Sequence, residues 1–140
     1  DAIQAAVLHV KLAHLDGWTE ARRHHAAAYR ERLGDLSADG RLVLPGDDAD
    51  GRHVFNQFTL RVPGRRDALR AHLAARGIGT EVYYPEPLHL QPCFAGLGHR
   101  PGAFPHAERA CAEALSIPVY PELAPAQVDE VADAIRSFLA

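Results

Sequence analysis

The sequence lacks several residues and spacings on which common kinds of protein chemistry depend. It contains no methionine and only two cysteines, Cys93 and Cys111, which do not stand in a CxxC or Cys/His zinc pattern. Cys111 lies in an alanine-rich helical run, where a small core side chain is the expected role. For Cys93, which lies in a loop, a disulfide or a reactive thiol stays open. A cysteine-based zinc site is therefore excluded.

Long hydrophobic runs are also missing, and the arginine clusters "ARRHH" and "GRRDALR" are short and flanked by acids, as expected of a solvated surface. No apolar run approaches the roughly 20 residues of a membrane-spanning helix, and no signal peptide is visible. A net charge of −3 and a pI of about 6.3 give no positive surface for nucleic acid or anionic lipid. We therefore expect a cytoplasmic protein with neither nucleic acid nor a membrane as its partner. Because the chain begins at Asp1, we expect a processed product or part of a longer protein.

The motifs of self-contained catalytic sites are absent as well. The sequence has no GxGxxG, GxxxxGK[ST], GxSxG or HExxH, and its nine histidines are not spaced as metal ligands. Asp47 and Asp48 fall in an Asp/Gly-rich turn, where local hydrogen bonding accounts for aspartate. The only lysine is Lys11. We expect no metal site and no complete catalytic set in these residues.

Helical periodicity dominates the first quarter of the chain. Apolar residues recur at helical spacing over residues 1–34, which predicts one long helix with a break near Asp16–Gly17 and an end at Gly34. We expect this region to act as a connecting helix ahead of a small domain over residues 35–140, within a single folded unit.

Shorter elements are predicted in the remainder. Strands are predicted over 41–45, 53–63, 78–84 and 116–120, and helices over 65–76, from Pro105 and from Pro125, with 85–103 irregular. The regular βαβ units of a Rossmann sheet are too few, so the prediction is an α+β fold. We expect a small, mainly antiparallel sheet covered by helices.

The stretch "YYPEPLHLQP", from Tyr83 to Pro92, predicts a stiff loop with functional side chains. Its prolines restrict the backbone, so it is neither a regular helix nor a central strand. Tyr83, Tyr84 and His89 stand along this loop as candidate ligand contacts. The alternatives are that Tyr84 packs inward and that His89 bonds to a backbone carbonyl.

Asn56 is the fourth candidate, because an amide in the middle of a predicted strand is unfavourable unless it is paired or used. A buried amide satisfied by a neighbouring backbone group is the alternative. Together with Gln57, these groups are neutral donors and acceptors beside aromatic faces. They suit an uncharged, hydroxylated ring such as a sugar, and they suit recognition better than bond breaking.

Longer segments carry a further signal: in order, these are "DAIQAAVLHVKLAHLDGW", "HVFNQFTLRV", "RDALRAHLAARGIGTEVYYPEPLHLQP" and "FPHAERACAEALSIPVYPEL". In these segments the chain resembles the C-terminal part of the DegT–StrS family of aminotransferases. "PLHLQP" and "LSIP" are the more specific of these.

The resemblance implies a pyridoxal-phosphate (PLP) enzyme of the aspartate aminotransferase fold. Members move an amino group from an amino acid such as glutamate to a nucleotide-linked keto-sugar, and are typically homodimers with active sites at the subunit interface. This chain would be the small C-terminal domain, with PLP held mainly by an upstream domain. Tyr84, His89, Tyr83 and Asn56 would then contact the nucleotide-sugar.

The resemblance also implies that the catalytic lysine is elsewhere. Lys11 matches a helix position of the family and not the position that holds PLP, so the isolated chain is expected to be inactive. Two other functions stay open at this point. One is a sugar dehydratase of the same fold, and the other is a non-catalytic interaction or dimerisation module.

Overall fold

The computed structural model of the protein describes residues 1–46 and 51–140. The described residues form five α-helices and two strands, in the order α1 (Ala2–Leu12), α2 (Leu15–Ala38), β1 (Phe58–Arg61), α3 (Arg66–Ala74), α4 (Pro105–Glu113), β2 (Ala114–Ile117) and α5 (Pro125–Leu139). The predicted Asp47–Asp48 turn lies outside the described residues. The predicted α+β class, with an antiparallel sheet and covering helices, is confirmed.

The N-terminal helix breaks earlier and ends later than predicted. The break lies at Ala13–His14, between α1 and α2, and Gly17 falls in the first turn of α2. Gly34 does not end the helix, which continues to Ala38 because Leu33 and Leu36 are buried on either side of it. Burial of an apolar face outweighs the roughly 1 kcal/mol that glycine costs inside a helix.

The sheet is smaller than the predicted strands. β1 and β2 pair antiparallel with Thr59 opposite Ser116. Predicted strands 41–45 and 78–84 each contribute a single antiparallel bridge, Val43 to Arg61 and Glu81 to Ser116. The paired order is therefore Val43, β1, β2, Glu81. Pro118 follows β2 directly and removes the backbone donor that a longer ladder would need.

One face of the sheet builds the core with α2, α3 and α5. Alternate residues Phe58 and Leu60 of β1 are fully buried, as is Leu115 of β2. They share the core cluster with Tyr29 of α2 and Ile135 of α5. α5 begins at Pro125 as predicted, and its inward residues Val128, Val131 and Ile135 are buried.

The opposite face of the sheet carries polar side chains. The Thr59 and Ser116 hydroxyl oxygens lie 2.7 Å apart and form a hydrogen bond across β1 and β2. α4 borders this face, contacts β1 and buries none of its own residues. The core therefore holds one face of the sheet in place, and the opposite, polar face is open for a binding site.

α1 stands apart from this core. None of its residues is buried, and its apolar side chains are largely exposed, including Ile3 at 79%, Leu8 at 65% and Val10 at 68%. No helix in the described ranges has the length and apolar character required to cross a bilayer.

Candidate functional site

Three adjoining cavities form a groove over the polar face of the sheet. The first, of about 280 Å³, is lined by Asn56, Gln57, Thr80, Tyr83 and Ser116, among others. The second, of about 250 Å³, shares Gln57, Tyr83 and Ser116 with the first and adds Thr59 and Tyr84. The third, of about 420 Å³, shares Tyr84 and Cys111 with the second and ends at His89. These three cavities are called the groove below.

All four site residues predicted from the sequence line this groove. Asn56 and Tyr83 lie at its first cavity, and Tyr84 and His89 lie at its third. Tyr83 is 52% exposed and Tyr84 is 71% exposed, so the inward-packed alternative for Tyr84 does not hold. Their ligand-binding roles stay a prediction.

Asn56 reaches the groove by a route that the strand pattern did not predict. β1 starts only at Phe58, and Asn56 is exposed, so the predicted strand position and the buried-amide alternative are both wrong. The physical reason is Phe55, whose φ of 46° is a left-handed conformation that is rare for an aromatic residue. His53 Nδ1 accepts the Phe55 backbone N–H at 2.9 Å, and the Arg30 guanidinium lies 5.1 Å from the Phe55 ring centroid.

His89 is the most constrained of the four. Leu88–Leu90 form a short 3-10 helix, followed by a second at Pro92–Leu97, inside a segment predicted to be irregular. The His89 side chain is 8% exposed, and its Nε2–H donates to Glu108 Oε1 at 3.0 Å. Its partner is thus a carboxylate, and not the backbone carbonyl of the predicted alternative.

Glu108 holds several parts of the site together. Its carboxylate accepts the backbone N–H of Gly102 at 2.9 and 3.0 Å and that of Phe104 at 3.3 Å. The Gly102 N–H, and then the Phe104 N–H and the His89 imidazole, hold the pKa of Glu108 below its usual value. Sequence reasoning missed Glu108. Its only signal was a carboxylate four residues after Phe104, in the first turn of a helix that begins with Pro105.

Two further groove residues were missed or misjudged. Ser116 carries a hydroxyl inside the otherwise apolar run "LSIPV", and that contrast could have identified it as a residue of the polar sheet face. Cys111 is half-buried and lines two of the cavities, so the predicted core role is wrong. Cys111 faces the groove because its helix, α4, borders the polar face of the sheet and buries none of its own residues.

The groove is lined mainly by neutral groups. Hydroxyl, amide and phenol groups line the first two cavities together with the Glu81 carboxylate, and aromatic and aliphatic groups line the third together with the Glu86 carboxylate. Among the described residues, no group of three or more His, Cys, Asp or Glu side chains is arranged to hold a metal ion. The arrangement can bind and orient a ligand, and it offers no lysine amine for covalent chemistry.

Comparison with known proteins assigns this architecture to a family. The model of the DegT/DnrJ/EryC1/StrS aminotransferase family matches residues 1–136. The chain belongs to this family. The resemblance predicted from the sequence segments is therefore confirmed, and the match corresponds to the C-terminal part of the relatives.

Similar proteins are sugar aminotransferases and relatives with other names. The chain is 44% identical over 138 residues to the dTDP-3-amino-3,4,6-trideoxy-alpha-D-glucose transaminase of Streptomyces venezuelae, covering 99% of this chain and 35% of that protein. It is 52% identical over 139 residues to a pleiotropic regulatory protein of Geobacillus stearothermophilus, covering 99% and 37%. The crystal structure of S. venezuelae DesV in complex with a ketimine intermediate has a TM-score of 0.90 and 43% identity, covering 97% and 36%.

The family implies PLP as cofactor, and solved neighbours carry its amine form, PMP. The described residues of this chain do not fit that role by themselves. The single lysine, Lys11, is exposed on α1, and α1 contributes no residue to the groove. The chain spans 35% and 37% of the length of the two curated relatives described above. The described residues therefore form a groove of hydrogen-bonding and aromatic groups that contains no lysine amine.

Proposed function

We propose that this chain is the C-terminal domain of a PLP-dependent aminotransferase that transfers an amino group to a nucleotide-linked keto-sugar. The amino donor is an amino acid, with glutamate as the expected choice. The observation that carries the proposal is the groove, in which Asn56, Tyr83, Tyr84 and His89 line one continuous surface. Its groups are mainly neutral polar and aromatic, with Glu81 and Glu86 as carboxylates at its edge. Such a surface matches the hydroxyls and C–H faces of a sugar.

The single lysine indicates that substrate binding and cofactor binding belong to different parts of the protein. PLP, when bound, carries the amino group between donor and sugar, and it requires a lysine in its pocket. Since Lys11 lies away from the groove, we assign the cofactor pocket to another part of the protein, upstream of Asp1. The groove then binds the keto-sugar, orients its carbonyl and keeps bulk water from it. On its own the chain binds substrate-like ligands and transfers no amino group.

The exposed apolar helix α1 supports an assembly in which this domain is covered. Ile3, Val7, Leu8 and Val10 are each more than half exposed, although burial of such side chains is favourable. We propose that α1, with α2, forms the connecting region over residues 1–34, ahead of a small domain over 35–140. In the complete protein, α1 packs against the cofactor domain and forms part of the interface between the two subunits of a homodimer. We place this enzyme in the cytoplasm, with no nucleic acid or membrane as partner.

The test uses the complete purified enzyme with PLP, glutamate and either a dTDP- or a UDP-linked keto-sugar. We expect 2-oxoglutarate and an amino-sugar product in equal amounts. The mass of the sugar product should show that an amino group has replaced the keto group. A product that has lost water and gained no nitrogen would replace this proposal with a dehydratase. No conversion and no PLP binding would leave a non-catalytic module.

A further inference from the structure

The turn that places Asn56 in the groove has a strained backbone. Among the described residues, Phe55 is the one residue other than glycine with a positive φ, and its side chain is buried. A left-handed φ is unfavourable for an aromatic residue and persists only where surrounding contacts hold it. Asn56 follows directly and lines both the first cavity of the groove and an adjoining cavity of about 500 Å³. The groups that hold Phe55 therefore determine where the Asn56 amide lies.

His53 contacts this turn in two ways. Its Nδ1 accepts the Phe55 backbone N–H at 2.9 Å, and its ring stacks on the Phe55 ring with centroids 4.1 Å apart. The acceptor stands two residues before the donor, which is the spacing at which an asparagine or aspartate side chain closes an Asx-turn. Only an unprotonated Nδ1 can accept this hydrogen bond, so the imidazole is neutral and carries its proton on Nε2.

α2 holds the same turn from outside. Arg23 Nη1 donates to the His53 carbonyl oxygen at 2.8 Å. The Arg30 guanidinium lies 5.1 Å from the centroid of the Phe55 ring, and its Nη2 donates to the Pro45 carbonyl oxygen at 2.9 Å. Arginine keeps its proton throughout the physiological range, whereas an imidazole does not. His53 is therefore the member of this set whose hydrogen bond depends on pH.

Charged groups from two parts of the chain surround the imidazole. α2 supplies the two arginines named above and Glu20, and the segment before β1 supplies Arg52, which is ion-paired with Glu20. Asp16 of α2 also acts electrostatically on Arg52. Protonation of His53 would replace the acceptor at Nδ1 with an N–H that is directed at the N–H of Phe55. The hydrogen bond and the left-handed turn would then be lost together.

We propose that His53 is a positioning residue, whose neutral imidazole holds the left-handed turn at Phe55 and thereby directs the Asn56 amide into the groove. This inference rests on the proposed function, in which Asn56 contacts the nucleotide-linked sugar. Binding of that ligand then depends on pH through a residue that acts on it by way of Asn56. It is tighter while His53 is neutral and weaker once His53 is protonated.

The first test separates the hydrogen bond from the rest of the side chain. His53→Ala removes the acceptor, whereas in His53→Asn the amide oxygen can accept the same N–H as an Asx-turn. Calorimetry on the complete enzyme measures the Kd of dTDP-glucose or UDP-glucose, which have no keto group to react. We expect Kd to rise about fivefold in His53→Ala and to stay within about twofold of wild type in His53→Asn. Equal losses in the two variants would overturn the proposal.

The second test follows the same Kd as the pH is lowered from about 8 to about 5, the interval in which histidines change charge. Wild type should lose affinity on acidification by at least about threefold more than His53→Asn, whose amide does not titrate. The control is His24→Asn, at an exposed histidine of α2 that lines a separate cavity beside α5, and it should follow the wild-type profile. Identical pH profiles for wild type and His53→Asn would overturn the proposal.

The third test requires neither binding nor turnover, so it distinguishes failure of this inference from failure of the proposed function. Crystal structures of the complete enzyme give the φ of residue 55 directly. We expect Phe55 to keep its positive φ in His53→Asn and to leave the left-handed region in His53→Ala, with Asn56 displaced from the groove. An unchanged turn in His53→Ala would overturn the positioning role. If neither sugar nucleotide binds wild type, the proposed function fails and this structural comparison still decides the role of His53.

Discussion

At the scale of single residues, His89 and Tyr84 differ in how strongly the fold constrains them. The His89 side chain is 8% exposed and bonded to Glu108, whereas Tyr84 is 71% exposed at the rim of the groove. Loss of His89 therefore removes both a cavity wall and a partner of Glu108. Loss of the exposed Tyr84 hydroxyl should therefore affect ligand binding and leave the fold unchanged.

The first prediction concerns His89. In the complete enzyme, His89→Ala should raise KM for the nucleotide-linked sugar or lower kcat, with an overall loss in kcat/KM of about tenfold or more. The PLP absorbance spectrum should stay normal, because His89 belongs to the substrate wall. Exposed His106 on the same helix as Glu108 supplies the control His106→Ala. Unchanged kinetics for His89→Ala would discard its assignment.

The four candidate residues could be selected from the sequence, whereas their surroundings could not. Tyr83, Tyr84 and His89 stand out because prolines stiffen the loop that carries them. The strand pattern gave Asn56 the wrong environment, because a hydrophobic alternation cannot reveal the left-handed backbone at Phe55. Glu108 and Ser116 were missed, since both act through contacts between segments that are distant in the chain.

At the scale of elements, α2 and α5 are joined by packing and by two ion pairs, and the first of these, between Asp35 and Arg136, is called the clamp below. Arg136 of α5 donates to both carboxylate oxygens of Asp35 at 2.6 and 2.8 Å and to the Arg32 carbonyl oxygen at 2.7 Å. A second pair, Arg32 with Asp129, joins the same helices. The Arg136 guanidinium lowers the pKa of Asp35 from 3.8 to about 2.

The second prediction is a pH dependence of stability from this clamp. Because the folded-state pKa of Asp35 is depressed, its stabilisation is present above pH 4 and is lost as the pH falls from about 4 towards 2. The Tm difference between wild type and Asp35→Asn should therefore be constant at neutral pH and shrink over that interval. Asp39→Asn is the comparison, because this exposed carboxylate is paired with neighbouring Arg41 and not with α5. A difference that does not change between pH 7 and pH 2 would contradict the clamp.

The elements that the sequence predicted well are those with a local signal. Pro105 and Pro125 begin α4 and α5 because proline suits the first helical turn. Strand lengths were overestimated, since pairing depends on partners far away in the chain. Only Val43 and Glu81 of two predicted strands find a bridge. Gly34 was wrongly predicted to end the helix, because burial of one face of α2 outweighs the tendency of glycine to end a helix.

At the scale of the whole molecule, α1 is the element that this chain leaves uncovered. The third prediction is that Val10→Glu weakens assembly of the complete protein, because Val10 is 68% exposed here and is expected to be buried there. The neighbouring substitution His9→Glu changes the charge equally and should have little effect. Light scattering during size-exclusion chromatography checks both. A dimer that is unaffected by Val10→Glu would remove α1 from the proposed interface.

The central claim concerns where the reactive amine lies, and one measurement tests it most directly. The complete enzyme is loaded with PLP and reduced with sodium borohydride, which fixes the cofactor to the lysine that holds it. Peptide mass spectrometry then locates the adduct, and a Lys11→Arg variant is treated in parallel. The account predicts an adduct on a lysine outside these residues and an unchanged PLP spectrum in Lys11→Arg. An adduct on Lys11, lost together with PLP absorbance in that variant, would contradict it.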